Sequence, residues 1–182
     1  MDRKYVTETV LADTAGIARA VRILRDGGLV AIPTETVYGL AARADSEEAV
    51  ARIFEAKGRP SFNPLIVHVS DIAAAGRLVE IDARARKLAE QFWPGPLTMV
   101  LPRLSDARVA GPITAGLPTL AVRSPAHPAM RAILDELGQP LAAPSANASE
   151  TVSPTSAAHV LATLNGRIDA MVDGGPADRG LE

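Results

Sequence analysis

Cysteine is absent from the 182-residue chain, which excludes disulfide frameworks, iron–sulfur clusters, thiol nucleophiles and Cys-ligated zinc. Aromatic residues are scarce: Tyr5, Tyr38, Phe54, Phe62, Phe92 and Trp93 are the full set, so Ala, Val, Leu and Ile must fill the core. Neither sign of charge dominates. Lys and Arg number 19 against 21 Asp and Glu, a net charge of -2, which argues against a broad basic face for nucleic-acid phosphates but leaves room for a local cationic pocket. No apolar run approaches the roughly 20 residues of a membrane span, and Met1-Asp2-Arg3-Lys4-Tyr5 leads into no signal-peptide core. The expectation is a soluble, cytoplasmic protein without a membrane partner. Its 47% apolar content suffices for one packed domain spanning 1–182.

Helix-like and strand-like stretches alternate along the chain. Thr14 to Asp26 sets Ile17, Val21 and Leu24 on one face and stops at Gly27-Gly28. Leu29 to Ile32 reads as a buried strand ending at Pro33. Ser46 opens a helix with Glu47 and Glu48 in its first turn, Val50, Ile53 and Phe54 as its buried stripe, and Gly58-Arg59-Pro60 as its end. Strands are further expected over Leu65–Val69, Leu97–Leu101, Thr119–Val122, Leu141–Ala143 and Ile168–Val172. Helices are expected over Ala83–Phe92, with Leu88 and Phe92 at i,i+4, and over His127–Leu137 and Thr155–Leu164. This is an α/β pattern. The 14 prolines favour a mixed sheet over a regular parallel one.

No Walker loop, dinucleotide-binding turn, nucleophile elbow or zincin motif is present. His68, His127 and His159 lie far apart without metal-ligand spacing, so no protein-held metal is expected. What stands out is a set of polar, Pro-punctuated segments after strands: Pro33 to Leu40, Arg123-Ser124-Pro125, and Ala143 to Asn147. Each alone is an ordinary turn; together they suggest a shared pocket at strand ends. Lys57 and Arg59 add cations at a helix end, where they could complement the dipole or face a polyphosphate.

These segments occur, together with Asn63 to His68, Pro94 to Thr98, Arg123 to Pro128, Ser153-Pro154-Thr155 and Asp173-Gly174-Gly175, in an order that resembles the YrdC-like threonylcarbamoyl-AMP synthases. The resemblance runs from about Thr14 to Glu182. It implies an open twisted mixed α/β sheet with flanking helices forming a large concave cavity. It also implies an enzyme that condenses L-threonine, bicarbonate and ATP into threonylcarbamoyl-adenylate and pyrophosphate. That product would feed a separate transferase complex that modifies the tRNA adenosine beside the anticodon, with at most weak RNA contact here.

By the same resemblance, Lys57 and Arg59 are the catalytic cations on ATP, with Ser61, Thr119, Ser145, Asn147 and Ser153 also on the nucleotide. Thr34, His68, Arg123 and Ala143 fall on the threonine side. Magnesium arrives with ATP, bridging its phosphates. Adenylation joins two anions, so cations and hydroxyl or amide donors serve it better than an acid–base dyad; Glu35 accordingly reads as structural rather than as a general base.

Two departures stand out. Ala148-Ser149-Glu150-Thr151-Val152 replaces the family's usual Ser-Gly pair, and the chain stops at Glu182, where the family continues with a Ser-Thr strand touching both substrates. On that basis the chain is expected to lack its last strand and any C-terminal extension, and to act weakly. The rival readings are a double-stranded RNA-binding module using the same cavity and a carbamoyl-carrying piece of a larger maturation enzyme.

Overall fold

The computed structural model describes residues 6–181; Met1 to Tyr5 and Glu182, on which the readings of the chain's two ends bear, lie outside the described residues. Local signals place most helices. Asp13 accepts the Gly16 N–H at the start of α1 (Thr14–Arg25), and Ser46 does the same for Ala49 at the start of α2 (Glu47–Lys57). Gly58 ends α2 in the left-handed region at φ 59°, a conformation a residue with Cβ resists. Asp71, Asp82, His127 and Ser156 cap α3 (Ile72–Ala75), α4 (Ala83–Phe92), α5 (Pro128–Leu137) and α6 (Ala157–Leu164).

The strands are β1 (Glu8–Leu11), β2 (Val30–Pro33), β3 (Tyr38–Arg43), β4 (Ile66–His68), β5 (Met99–Pro102), β6 (Thr119–Arg123), β7 (Leu141–Ala142) and β8 (Ala170–Asp173). They form one eight-stranded sheet in the order β1-β8-β2-β3-β7-β4-β6-β5. Pairs β1–β8, β8–β2 and β4–β6 are parallel and the rest antiparallel, so the expected mixed α/β sheet is present.

Alternation along the strands divides the core in two. On one face Leu40, Ala42, Val67, Leu120 and Val122 pack with α2, α6 and a 3-10 turn at Gly111–Ile113, while Ala85 and Ala89 of α4 pack on Met99. On the other face α1 and α5 lie over Val30, Ile32, Ala41 and Val172. Helix α1 starts so close to β1 that a Cβ on Gly16 would stand 1.9 Å from the Leu11 carbonyl oxygen. This second layer reaches across the sheet to Leu141 of β7 and ends there. Beyond β7, the face carrying Ile66, His68, Ala121 and Arg123 has no helix from these two clusters, and that gap becomes the site.

Several elements differ from expectation. Tyr38 to Arg43 is a buried strand that begins inside the polar segment Pro33 to Leu40, and β1, α3 and the 3-10 turn were not anticipated. In α4 the inward face is Ala85 and Ala89, whereas Leu88 and Phe92 are 41% and 47% exposed; small residues let the helix lie close. Leu24, fully buried beneath α5, should lose about 2–5 kcal/mol on substitution by Ala, and Leu88→Ala should stay within about 0.5 kcal/mol. Denaturant unfolding of the two variants tests the difference; equal losses would mean that the core is misassigned.

Candidate functional site

The uncovered half-face becomes a cavity of about 240 Å³, lined by Ile66 and His68 of β4, Arg123 of β6, Ala143 to Ser145 after β7, and Thr34, Thr36, Val37 and Gly39 around the β2–β3 turn. Register explains the grouping. His68 lies opposite Arg123 and Ile66 opposite Ala121, and Gly39 bridges Ser145. The neighbours β2–β3, β3–β7 and β7–β4 run antiparallel, so the polar segments meet over the open face rather than at a row of carboxyl-terminal strand ends.

Arg123 forms the floor. Its Nη2 donates to Glu35 Oε1 at 2.6 Å, Nη1 to Thr36 Oγ1 at 3.2 Å and Nε to the Gly95 carbonyl at 3.3 Å. Both side chains of the ion pair are 8% exposed. Burial pushes the Glu35 carboxyl up, but the Arg123 hydrogen bond and charge, with N–H donors of Glu35 and Ala126, outweigh it and hold the group below the usual carboxylate range. Glu35 is therefore an ionised strut with its oxygens occupied, as the sequence suggested. Thr34 Oγ1 donates to the Val37 carbonyl at 2.6 Å and accepts the N–H groups of Thr36 and Val37, which fixes the turn carrying Glu35.

His68 is 2% exposed, and its Nδ1 has no hydrogen-bond partner. Burial first, then the charge of Arg123, lowers its pKa to about 3, against opposing contributions from Glu35 and the Ile66 backbone. It is a neutral imidazole at pH 7, able to accept or donate one hydrogen bond.

A second hollow, of about 530 Å³, adjoins the first and shares Arg59 and Ser145 with it. Its walls include Lys57, Phe62, Asn147, Ser149, Glu150 and Ser153. Lys57 closes α2, at the helix end where the sequence placed it, but its side chain is turned inward: it is 3% exposed and donates through Nζ to the Ser145 and Asn147 carbonyls at 2.5 and 2.6 Å. Arg59, two residues on, donates to the Pro64 carbonyl at 3.2 Å. Glu150 takes φ 65°, a left-handed conformation at the stretch where the sequence departs from Ser-Gly; the turn survives at a cost in strain.

Thus Thr34, His68, Arg123 and Ala143 share the first cavity, and Lys57, Arg59, Ser145, Asn147 and Ser153 share the second. Thr119 and Ser61 line neither. Thr119 begins β6, on the face that carries Arg123 at the other end, and Ser61 is exposed beside Phe62. Thr36, Gly39, Pro96 and Thr98 also line the first cavity; all stand inside the recurring motifs, which was the signal available for them. Among the described residues no group of three or more His, Cys, Asp or Glu is placed to hold a metal ion, and no helix is long and apolar enough to cross a membrane.

A family model described as "Telomere recombination", covering Sua5, YciO and YrdC, matches residues 22–182. The chain is 49% identical over 178 residues to a threonylcarbamoyl-AMP synthase of Bacillus subtilis, across 97% of this chain and 51% of that protein. A P. abyssi Sua5 structure aligns over 97% of this chain and 55% of its own, with TM-score 0.94 and 47% identity. Another, complexed with L-threonine, aligns over 95% and 51%, with TM-score 0.88 and the same 47% identity. The chain spans about half the length of these relatives.

The His68 environment has a measurable consequence. The unfolded chain's imidazole titrates near 6.5 and the folded one at about 3, so between those values the unfolded state holds a proton that the native state does not. Stability must therefore fall as pH falls through that window. His68→Gln should remove up to about 1.4 kcal/mol per pH unit of that slope between about pH 6 and pH 4. Unfolding curves across this range check it; an unchanged slope would mean that His68 titrates normally.

Proposed function

The chain belongs to the Sua5, YciO and YrdC family, and on that premise we propose that it is a threonylcarbamoyl-AMP synthase. It condenses L-threonine and bicarbonate to a carbamate, releasing water, and the carbamate oxygen attacks the α-phosphate of ATP, expelling pyrophosphate. The carrying observation is that a cavity with a buried guanidinium and a larger polar hollow adjoin and share Arg59 and Ser145. An amino acid in one and a nucleotide in the other would meet at those two residues.

The residue types suit this chemistry. Arg123 uses three of its five N–H groups internally, leaving one on each terminal nitrogen for the threonine carboxylate. The His68 Nδ1 offers a partner for the threonine hydroxyl, and Thr34 and Ala143 close the same space. Arg59 faces the polyphosphate, and Ser145, Asn147 and Ser153 supply polar contacts along the second hollow. Thr119 and Ser61 contribute if the nucleotide extends along β6 and past Pro60. Repulsion between carbamate and phosphate is the main barrier, which the cations lower by stabilising charge that moves onto pyrophosphate. Magnesium enters as the ATP complex and neutralises the leaving group. Glu35, tied to Arg123 and Ala126, is not available as a base.

The product is a mixed anhydride that hydrolyses readily, so a transferase complex acting on tRNA must take it up promptly, with the cytoplasm as the setting. The double-stranded RNA reading finds no support: the relatives are named as synthases, and the buried cations Arg123 and Lys57 bond inward.

Incubation with ATP, bicarbonate and L-threonine should yield the adenylate and pyrophosphate by mass spectrometry, and omitting any one substrate should abolish both. Arg59→Ala should weaken ATP binding by about 10- to 100-fold, as expected for a lost charge-assisted contact of roughly 1.5–3 kcal/mol. Product formation without threonine, or unaltered ATP binding by Arg59→Ala, would contradict the reading.

A further inference from the structure

The geometry points to Lys57 as a positioning residue of this site, a strut that shapes the segment from Ser145 to Ser149 instead of holding phosphate directly. The inference rests on the synthase reading for its ligands but not for its geometry. Lys57 is the last residue of α2, so the helix on one side and the left-handed Gly58 on the other fix its backbone. From there it makes three bonds to alternate residues of one segment. Nζ donates to the carbonyls of Ser145 and Asn147, and the Lys57 carbonyl accepts the Ser149 N–H at 2.8 Å.

Other bonds hold the segment from its far side: the Asn147 side-chain amide donates to the Ala148 and Thr151 carbonyls, and the Ala148 N–H donates to Thr163 Oγ1. Beyond Ser145, which bridges Gly39, and the Ala146 N–H donated to Tyr38, it leaves the sheet. Without the ammonium, the Asn147 carbonyl loses its Lys57 donor and the Ser145 carbonyl keeps only the Asn147 N–H, in a place where Asn147 is 5% exposed, and an unpaired buried acceptor is costly. The segment would then move. Ser145 lines both spaces, and Asn147 and Ser149 line the second, so one displacement would alter the amino-acid and nucleotide sites together.

A direct phosphate ligand behaves otherwise. Its loss would weaken ATP alone, whereas two of the three Nζ donors of Lys57 are committed to carbonyls of one segment. Arg59 differs in this respect. It lies past Gly58, outside the helix, and its substitution leaves the bonds from Lys57 to the segment in place.

The test compares the parent protein with Lys57→Met, which keeps bulk without a donor, and Lys57→Gln, which keeps two N–H donors without charge. Calorimetry with L-threonine and with ATP gives the ligand arm. Lys57→Met should lose at least about tenfold in affinity for each ligand, and Lys57→Gln should recover part of both losses. If Lys57→Met binds L-threonine like the parent and loses only ATP, or if Lys57→Gln loses ATP selectively, the strut is wrong. Amide hydrogen exchange without ligand gives an independent arm, in which Asn147 and Ser149 should exchange at least about tenfold faster in Lys57→Met than in the parent. Parent-like exchange there also overturns the inference. If the parent binds neither ligand, the synthase reading fails while the exchange arm still decides the strut. Should Lys57→Met not fold, Lys57→Gln carries both arms.

Discussion

Arg123 and Glu35 meet at 2.6 Å with little of either side chain in water, and much of the cavity takes its shape from that contact. Two charges withdrawn from solvent persist only when well paired and hydrogen-bonded, and losing one partner leaves the other stranded. Each is held from several directions: Arg123 by Thr36 and Gly95, Glu35 by the Ala126 N–H. The pair therefore ties the end of β6 to the β2–β3 turn and to the chain entering α5. It also sets the electrostatics of the floor, since the Arg123 charge helps keep His68 neutral.

The remaining architecture follows from an asymmetry in the sheet. One face is packed along most of its width, but on the other the layer of α1 and α5 stops near β7. A sheet left half-covered exposes backbone and side chains in a concave bay. Here the bay is lined by polar groups already committed to holding it open, and so it needs little reorganisation to receive a charged ligand. Preorganised dipoles of this kind suit a reaction whose difficulty is bringing anions together.

Periodicity and end signals made α1 and α2 legible, because Ser46 and the glycines at 27 and 58 mark their ends in one stretch of chain. Strand β3 was hidden. Gly39, Ala41 and Ala42 are small, carry weak strand propensity and follow a Pro-Thr-Glu-Thr stretch typical of turns, yet the sheet buries them completely. Tertiary burial overrode local preference. The site was legible as motifs but not as geometry. Thr34, His68, Arg123 and Ala143 do converge, whereas nothing local to Lys57 revealed that its ammonium would reach across to the carbonyls of Ser145 and Asn147. Contacts between positions nearly ninety residues apart depend on strand order, which the sequence pattern did not supply.

The central claim is that the open half-face is an amino-acid site joined to a nucleotide site at Ser145 and Arg59. Nitrogen-edited NMR of the labelled protein tests it most directly. On titration with L-threonine, the amides of Thr36, Gly39, His68, Ala143 and Ser145 should shift, and ATP added next should move Arg59, Ser145 and Asn147. Amides beneath α1, such as Val30 and Val172, should stay still in both steps. Threonine-induced shifts confined to other parts of the molecule, or none at saturating threonine, would contradict the account.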